Sequence, residues 1–294
     1  MSVLLGYLGP KGTFSEEAAL KYSRKHEEDM VLVEYPTIDQ IIEALLQKEV
    51  VQGIVPLENS LEGSVNITLD LLAGNQGIFI QREIICPITH HLAAPQGVKL
   101  QEIAALYSHP QVFSQCRTFI RENLGRIPQI PWHSTAAAAE KVSGSSNKGA
   151  ISSQRAAQIF DLEILASHIQ DGNGNQTRFV VVSGADHPGR GDDYKTSDYK
   201  TSDHKTSLVI SIKDSPGSLY AILGAFAKRN LNLTRIESRP ARKNLGDYFF
   251  FMDLEGHQQE PRVREALDEL EGQIIFKKML GSYPKDDLTQ EQSS

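Results

Sequence analysis

Several things are scarce in this sequence, and each scarcity excludes something. Only two cysteines occur in 294 residues, Cys86 and Cys116. They form neither a metal-ligand spacing nor a disulfide framework, and both sit in apolar surroundings, so reduced, buried thiols are expected. No run approaches the roughly 20 apolar residues that a membrane span requires. The segment from Met1 to Gly9 lacks the cationic flank of a secretory signal, which points to a cytoplasmic protein. Positive charge is outnumbered, with 30 Lys and Arg against 37 Asp and Glu and a net charge of -7. That balance excludes a general binder of nucleic acid or anionic membrane, although it permits a local basic cleft. What remains is ordinary: 40% hydrophobic and 23% charged, a soluble globular chain with room for about two domains.

The first 183 residues alternate strand and helix signals. Val3 to Leu8 reads as a strand and Gly9-Pro10-Lys11-Gly12 as a turn. Thr13, with Glu16 three residues on, forms a capping box that opens a helix. Such a helix start offers N–H groups to a carboxylate or phosphate; a plain capped helix is the alternative. The turn is not a Walker loop, because no Lys-Ser or Lys-Thr closes it. Val31 to Tyr35 is a second strand. Thr37 and Gln40 cap a helix whose Ile38, Ile41, Ile42, Leu45 and Leu46 make one buried stripe. Gly53 to Leu57 is a third strand, running into Glu58-Asn59-Ser60, Gly63-Ser64 and a helix that ends near Gly74. Asn59 and Ser60 are placed either to cap that helix or to bond a ligand.

Ile78 to Ile88 is strand-like with a polar middle, suited to crossing between lobes. The adjacent His90 and His91 do not favour shared metal ligation and read as strand or surface histidines. Ser108-His109-Pro110-Gln111 follows a short strand and opens a helix to about Asn123, with Pro110 in a first helical position. Gln115 lies about two turns beyond Ser108, near enough to the same face to share a pocket. Ser134 caps an alanine-rich helix, and Gly149 to Phe160 adds another strand and helix. This alternation predicts parallel sheets covered by helices, in two α/β lobes with a cleft between them.

The stretch from Gly172 to Ser183, G-N-G-N-Q-T-R-F-V-V-V-S, concentrates the functional signal. Gly172 and Gly174, with Asn173 and Asn175, make a loop able to approach a ligand closely. Phe179 to Val182 reads as a strand buried on both faces. Thr177 and Arg178 stand between them, at the end of a buried strand, where open α/β sheets place ligands.

From Gly184 to Lys205 the chain turns polar and repeats a five-residue unit starting at Asp193, Asp198 and Asp203, which reads as a duplicated linker. The period is too short for a solenoid. Residues 206–282 then show strand, helix, two strands, helix and strand, the ferredoxin-like βαββαβ order, and a small open sheet of this kind favours pairing with a second copy. Residues 283–294 read as a disordered tail.

Four segments carry a family resemblance: Gly9-Pro-Lys-Gly-Thr-Phe-Ser15, Val55-Pro-Leu-Glu-Asn-Ser60 with Gly63, Ser108-His-Pro-Gln111 with Gln115-Cys116, and Gly174-Asn-Gln-Thr-Arg-Phe179. Together, in this order, they resemble the monofunctional prephenate dehydratases. The C-terminal part resembles an ACT domain, with Pro216-Gly217-Ser218-Leu219 and Glu237-Ser238-Arg239-Pro240 matching its two phenylalanine-binding segments. The first strand begins at Val3, so no N-terminal helical chorismate mutase module is expected.

The resemblance implies a two-lobed α/β catalytic domain over residues 1–183, like type 2 periplasmic binding proteins, a linker over 184–205, and an ACT domain over 206–282. It implies conversion of prephenate to phenylpyruvate, with L-phenylalanine as inhibitor and a homodimer or homotetramer as the assembly. Thr177 matches the family's catalytic threonine and would hydrogen-bond or protonate the leaving hydroxyl. Thr13, Asn59, Ser60, Ser108 and Gln115 would bind substrate oxygens. Arg178 would pair with a substrate carboxylate or sit in an inter-lobe salt bridge, and Glu58 is expected in a structural hydrogen bond. No cofactor and no metal are expected, because aromatisation of the ring drives the reaction. An arogenate dehydratase and a non-enzymatic amino-acid sensor are the alternatives.

Overall fold

A computed structural model describes residues 2–25, 29–172, 174–184, 204–213, 215–240 and 248–286. Asn173, Asp214, the pentapeptide repeats within 185–203 and the tail from 287 lie outside the described residues.

The chain opens as expected, with β1 (Val3–Leu8), α1 (Phe14–Lys25), β2 (Met30–Tyr35) and α2 (Ile38–Leu46). Ile38, Ile41, Ile42 and Leu45 of α2 are all buried, and each fully buried side chain of this size stabilises by roughly 1.5–3 kcal/mol. β3 (Gln52–Asn59) is longer than the apolar run suggests, and it turns through a short hairpin into β4 (Gly63–Ser64). Pairing is antiparallel, Glu58 opposite Ser64 and Asn59 opposite Gly63. α3 (Asn66–Gly74) starts beyond this hairpin, so neither Asn59 nor Ser60 caps it. β5 (Ile78–Pro87) follows, then β6 (His91–Pro95), β7 (Ala105–Ser108), α4 (Pro110–Gln115), α5 (Arg117–Asn123), β8 (Gln129–Pro131), α6 (Thr135–Ser143), β9 (Lys148–Ser152), α7 (Gln154–Ile159), β10 (Leu162–Ala166) and β11 (Gln176–Gly184).

These strands form two sheets. One has the order β2-β1-β3-β11-β5, with β4 paired to β3; the other has the order β10-β6-β9-β7-β8. The expected parallel arrangement is only partly right. β1–β2, β7–β8 and β7–β9 are parallel, whereas β6–β9, β6–β10 and β3–β4 are antiparallel. The reason is local: β3 and β4 are joined by a tight turn that reverses direction without a crossover helix. Around the second sheet, Leu92, Val112, Cys116, Ile120 and Ile151 form one apolar cluster. The alanines of α6 and α7 form another with Ala93 and Ala150. Ser134 and Ser153 cap α6 and α7, accepting from Ala137 N at 3.0 Å and Ala156 N at 3.0 Å, each worth about 1 kcal/mol.

The remaining elements are β12 (His204–Ile212), α8 (Ser218–Ala227), β13 (Leu233–Pro240), β14 (Tyr248–Glu255), α9 (Pro261–Glu269) and β15 (Ile274–Pro284). Their sheet order, β13-β14-β12-β15, is antiparallel throughout and is the ferredoxin-like arrangement expected from the sequence. Leu208, Ile210, Ile222, Phe226, Met252 and Val263 fill its core. β12 begins at His204, inside the expected linker, and β15 runs through a fully buried Tyr283, past the expected start of the tail. Ser207 holds that tyrosine through a hydroxyl–hydroxyl bond of 2.5 Å, a tie that alternation of apolar residues does not reveal.

Candidate active site

Thr177 is the second residue of β11 and is 8% exposed. Its Oγ1 accepts a hydrogen bond from Asn59 Nδ2 at 2.9 Å. The orientation of the Asn59 amide is fixed from the other side, because its Oδ1 accepts from Leu61 N at 2.9 Å and Glu62 N at 3.1 Å in the turn of the β3–β4 hairpin. Flipping the amide would set its N–H groups against two backbone donors. The NH₂ end therefore faces Thr177 Oγ1 and, at 2.8 Å, Asn175 Oδ1, with Gln176 O at 3.2 Å. Since Thr177 Oγ1 accepts from Asn59, its own proton points elsewhere and is free to be donated.

The network continues through Asn175, which is 7% exposed and was not among the expected binding residues, although it lies in the Gly174–Phe179 segment. Asn175 Nδ2 donates to Gln115 Oε1 at 3.5 Å. That same oxygen pairs with His90 Nε2 at 2.9 Å, and Gln115 Nε2 donates to Glu62 Oε1 at 3.2 Å. An oxygen that only accepts requires the proton on His90 Nε2. His90 is therefore a neutral Nε2–H imidazole, consistent with the downward shift that burial gives its pKa. Its ring is 2% exposed and edges against Phe14 at 5.9 Å. His90 and His91 are buried strand-end histidines rather than surface ones. Their adjacency gave no hint of this role for His90, because the contact depends on a helix 25 residues away.

Ser60 joins the same corner. Its hydroxyl donates to Gly174 O at 3.2 Å and accepts from Gln176 N at 3.0 Å, stitching the hairpin to the loop ahead of Thr177. Thr13 behaves as a helix cap, accepting from Glu16 N at 3.3 Å and donating to Leu8 O at 3.1 Å. The Glu16 carboxylate accepts from Gly12 N at 2.6 Å and meets Arg155 at 3.4 Å. Gly12 has φ +87°, and a Cβ there would come within 3.0 Å of Ala156 Cα, so only glycine fits this close approach.

Two expected binding residues are occupied elsewhere. Ser108 is fully buried and donates to Ile151 O at 2.7 Å. It is not brought to Gln115 by helical spacing, because it closes β7 ahead of the N-cap His109 and so lies outside the helix α4 that carries Gln115. The Cys116 thiol is pushed up to about 12 by burial and by nearby Asp171, which leaves it inert. Arg178 is 6% exposed and pairs with Glu58 Oε1 on the neighbouring strand at 2.8 Å. The pair lies along one sheet, and it gives Glu58 the structural part expected of it. Among the described residues no group of three or more His, Cys, Asp or Glu side chains is arranged to hold a metal ion.

In the C-terminal sheet, Gly217 adopts φ +88° as it precedes α8, and Ser218 Oγ meets Ser215 Oγ at 2.6 Å. β13 alternates along its length, with Glu237 and Arg239 half-buried and Ser238 and Pro240 exposed. Arg239, expected at the effector, is engaged by Asp70 at 2.8 Å.

The prephenate dehydratase family profile matches residues 5–187, and the ACT domain profile matches residues 206–272. The chain is 36% identical to the prephenate dehydratase of Bacillus subtilis over 95% of its own length and 98% of that protein. The solved prephenate dehydratase of Arthrobacter aurescens, in complex with L-Phe, is 35% identical with a TM-score of 0.84, covering 96% of this chain and 90% of that one. A protein described as a novel type of quorum quenching acylase is 29% identical with a TM-score of 0.81, covering 96% and 98%.

Proposed function

This chain belongs to the prephenate dehydratase family, and we propose from that premise that it converts prephenate to phenylpyruvate, carbon dioxide and water in phenylalanine synthesis, under inhibition by L-phenylalanine. One observation carries the catalytic assignment: Thr177 Oγ1 accepts from Asn59 Nδ2 and keeps its proton for a ligand. In the reaction the bond from the ring to its carboxylate breaks and the electron pair moves through the ring. The carbon–oxygen bond on the far side breaks in turn. The departing hydroxide takes a proton and leaves as water, and the ring becomes aromatic. Thr177 O–H lies against that oxygen and gives or shares the proton. A positioned proton donor contributes about 10²–10⁴-fold. The oxygen left behind on Thr177 gains negative charge, and the Asn59 N–H already aimed at it at 2.9 Å offsets that charge without reorganisation, as an oxyanion donor does. Asn59 thus assists Thr177 rather than binding substrate.

Gln115 is the residue best placed to bind a substrate oxygen. Its carbonyl is committed to His90 and Asn175, and one N–H goes to Glu62, which leaves its second N–H for an acceptor. Ser60 and Thr13 shape the site through backbone and loop. Ser108 and Arg178 act as structural residues.

The likeness to an acylase supports a second reading, amide hydrolysis at the same threonine. A hydroxyl nucleophile needs a base to accept its proton. Thr177 Oγ1 instead accepts from an amide, and this favours the dehydratase reading. We assign the protein to the cytoplasm, as a homodimer or homotetramer built through its ACT domains.

The test is to supply purified protein with prephenate, arogenate and an N-acyl amide in parallel, each with and without phenylalanine. Phenylpyruvate from prephenate, suppressed by phenylalanine, is expected. Preference for arogenate would keep the mechanism and change the substrate, and amide cleavage alone would overturn the reading.

A further inference from the structure

Helix α3 is gripped at both ends by cations from the ferredoxin-like sheet. At its start, Arg239 of β13 donates from Nε to Asp70 Oδ1 at 2.8 Å and from Nη2 to Asp70 Oδ2 at 2.9 Å. Its Nη1 bonds Asn66 Oδ1. Asn66 and Asp70 are four residues apart, so they share one face of the helix, and the planar guanidinium meets the carboxylate with both prongs. At the other end, Lys278 of β15 is 4% exposed and donates to the carbonyls of Leu72 and Asn75. These are among the carbonyls a helix end leaves without intrahelical partners, and a cation there complements the helix dipole.

The start of α3 is one residue from β4, and that residue, Val65, donates its N–H to Leu57 O of β3 at 2.9 Å. The chain therefore runs from the hairpin that carries Asn59 directly into the clamped helix.

We propose that Arg239, rather than binding phenylalanine, is a coupling residue: through Asp70 and Asn66 it sets the position of α3, and through the continuous hairpin it sets the Asn59 amide at Thr177. This rests on the reading of phenylalanine as effector and Thr177 as proton donor. Phenylalanine held against Glu237–Ser238, next to Arg239 on β13, favours one arrangement of the Arg239–Asp70 pair over another. It can alter turnover only by such a difference between states. Asp70 and Asn66 touch neither ligand, so changing them separates communication from binding.

The experiment uses the full chain and three readouts: turnover without effector, phenylalanine binding by titration calorimetry, and the inhibition curve. Asp70→Asn keeps the shape and removes the charge. The expected result is phenylalanine binding within about threefold of the parent, with the concentration that halves the variant's own uninhibited turnover raised about tenfold or more. Asp70→Glu should restore inhibition, which a loss of packing would not predict. Should Asp70→Asn fail to fold, Asn66→Ala, which removes only the Nη1 partner, should shift the curve in the same direction by a smaller factor. Inhibition of either variant along the parent's curve overturns the proposal. A parent protein that phenylalanine neither binds nor inhibits overturns the effector reading instead.

Discussion

Asn59→Asp isolates the donor that the mechanism needs. The Oδ1 end of the side chain accepts from Leu61 N and Glu62 N, and a carboxylate accepts both bonds equally well, so the hairpin turn survives. The other end changes from N–H to oxygen, 2.9 Å from Thr177 Oγ1 and 2.8 Å from Asn175 Oδ1. Losing one hydrogen bond to a neutral partner costs stability about 1 kcal/mol. Losing a preorganised donor to a developing oxyanion costs about 2.7–4 kcal/mol of barrier, or 10²–10³-fold in kcat. The loss is deepened because the Thr177 proton now turns toward the carboxylate and away from substrate. The sign of the pH response is a second signature. The two oxygens that face this carboxyl favour its protonated form, against the two backbone N–H groups that favour the carboxylate. Once protonated it donates to one of them again, so kcat of Asn59→Asp recovers as pH falls. The assay is the initial rate of phenylpyruvate formation at saturating prephenate over a pH series, with thermal unfolding run alongside. A variant that folds and turns over within about tenfold of the parent at neutral pH would exclude the Asn59 amide as a donor to the developing charge on Thr177.

Other expectations follow from the same contacts. Gln115→Leu should raise KM for prephenate more than it lowers kcat, measured by steady-state kinetics, since its free N–H is assigned to substrate binding. Ser108→Ala should lose about 1 kcal/mol of stability with the bond to Ile151 O and leave KM unchanged; a rise in KM would return Ser108 to the site. Burial lowers the folded pKa of His90, so the unfolded chain takes up the proton first. Stability is fully present above about pH 6.5 and falls as pH drops below it toward the folded pKa. Denaturant unfolding of the parent and of His90→Gln should show a flatter acid slope in the variant, and equal slopes would exclude His90 as a contributor. Cys116, raised by burial, should resist thiol reagents in the folded enzyme and react on unfolding.

Much of this arrangement is legible in sequence because it is local. The Thr13 and Thr37 caps, most of the α2 stripe and the βαββαβ order need only short-range periodicity, although Glu16 bonds Gly12 N instead of closing a capping box and Leu46 is 49% exposed. Thr177 and Asn59 stand out as polar residues at strand ends and Gln115 as a polar residue on a helix. What is not legible depends on which distant strands become neighbours. Arg178 finds Glu58 because β11 lies beside β3, more than a hundred residues away in the chain. Ser108 and Gln115 share a face only if one helix joins them, and Ser108 instead ends β7, before α4 begins. Arg239 reads as an effector ligand from its segment, and only the approach of α3 shows what its guanidinium holds. His90 carries no signal of its own, since its role exists only once Gln115 is beside it.

Thr177→Ala tests the proton donor most directly. Turnover and prephenate binding should be measured on one preparation, by phenylpyruvate formation and by titration calorimetry. The predicted result is a fall in kcat of about 10²-fold or more with binding kept within a few-fold. An unchanged kcat would remove the Thr177 hydroxyl from the chemistry, and with it the reason for the Asn59 amide beside it.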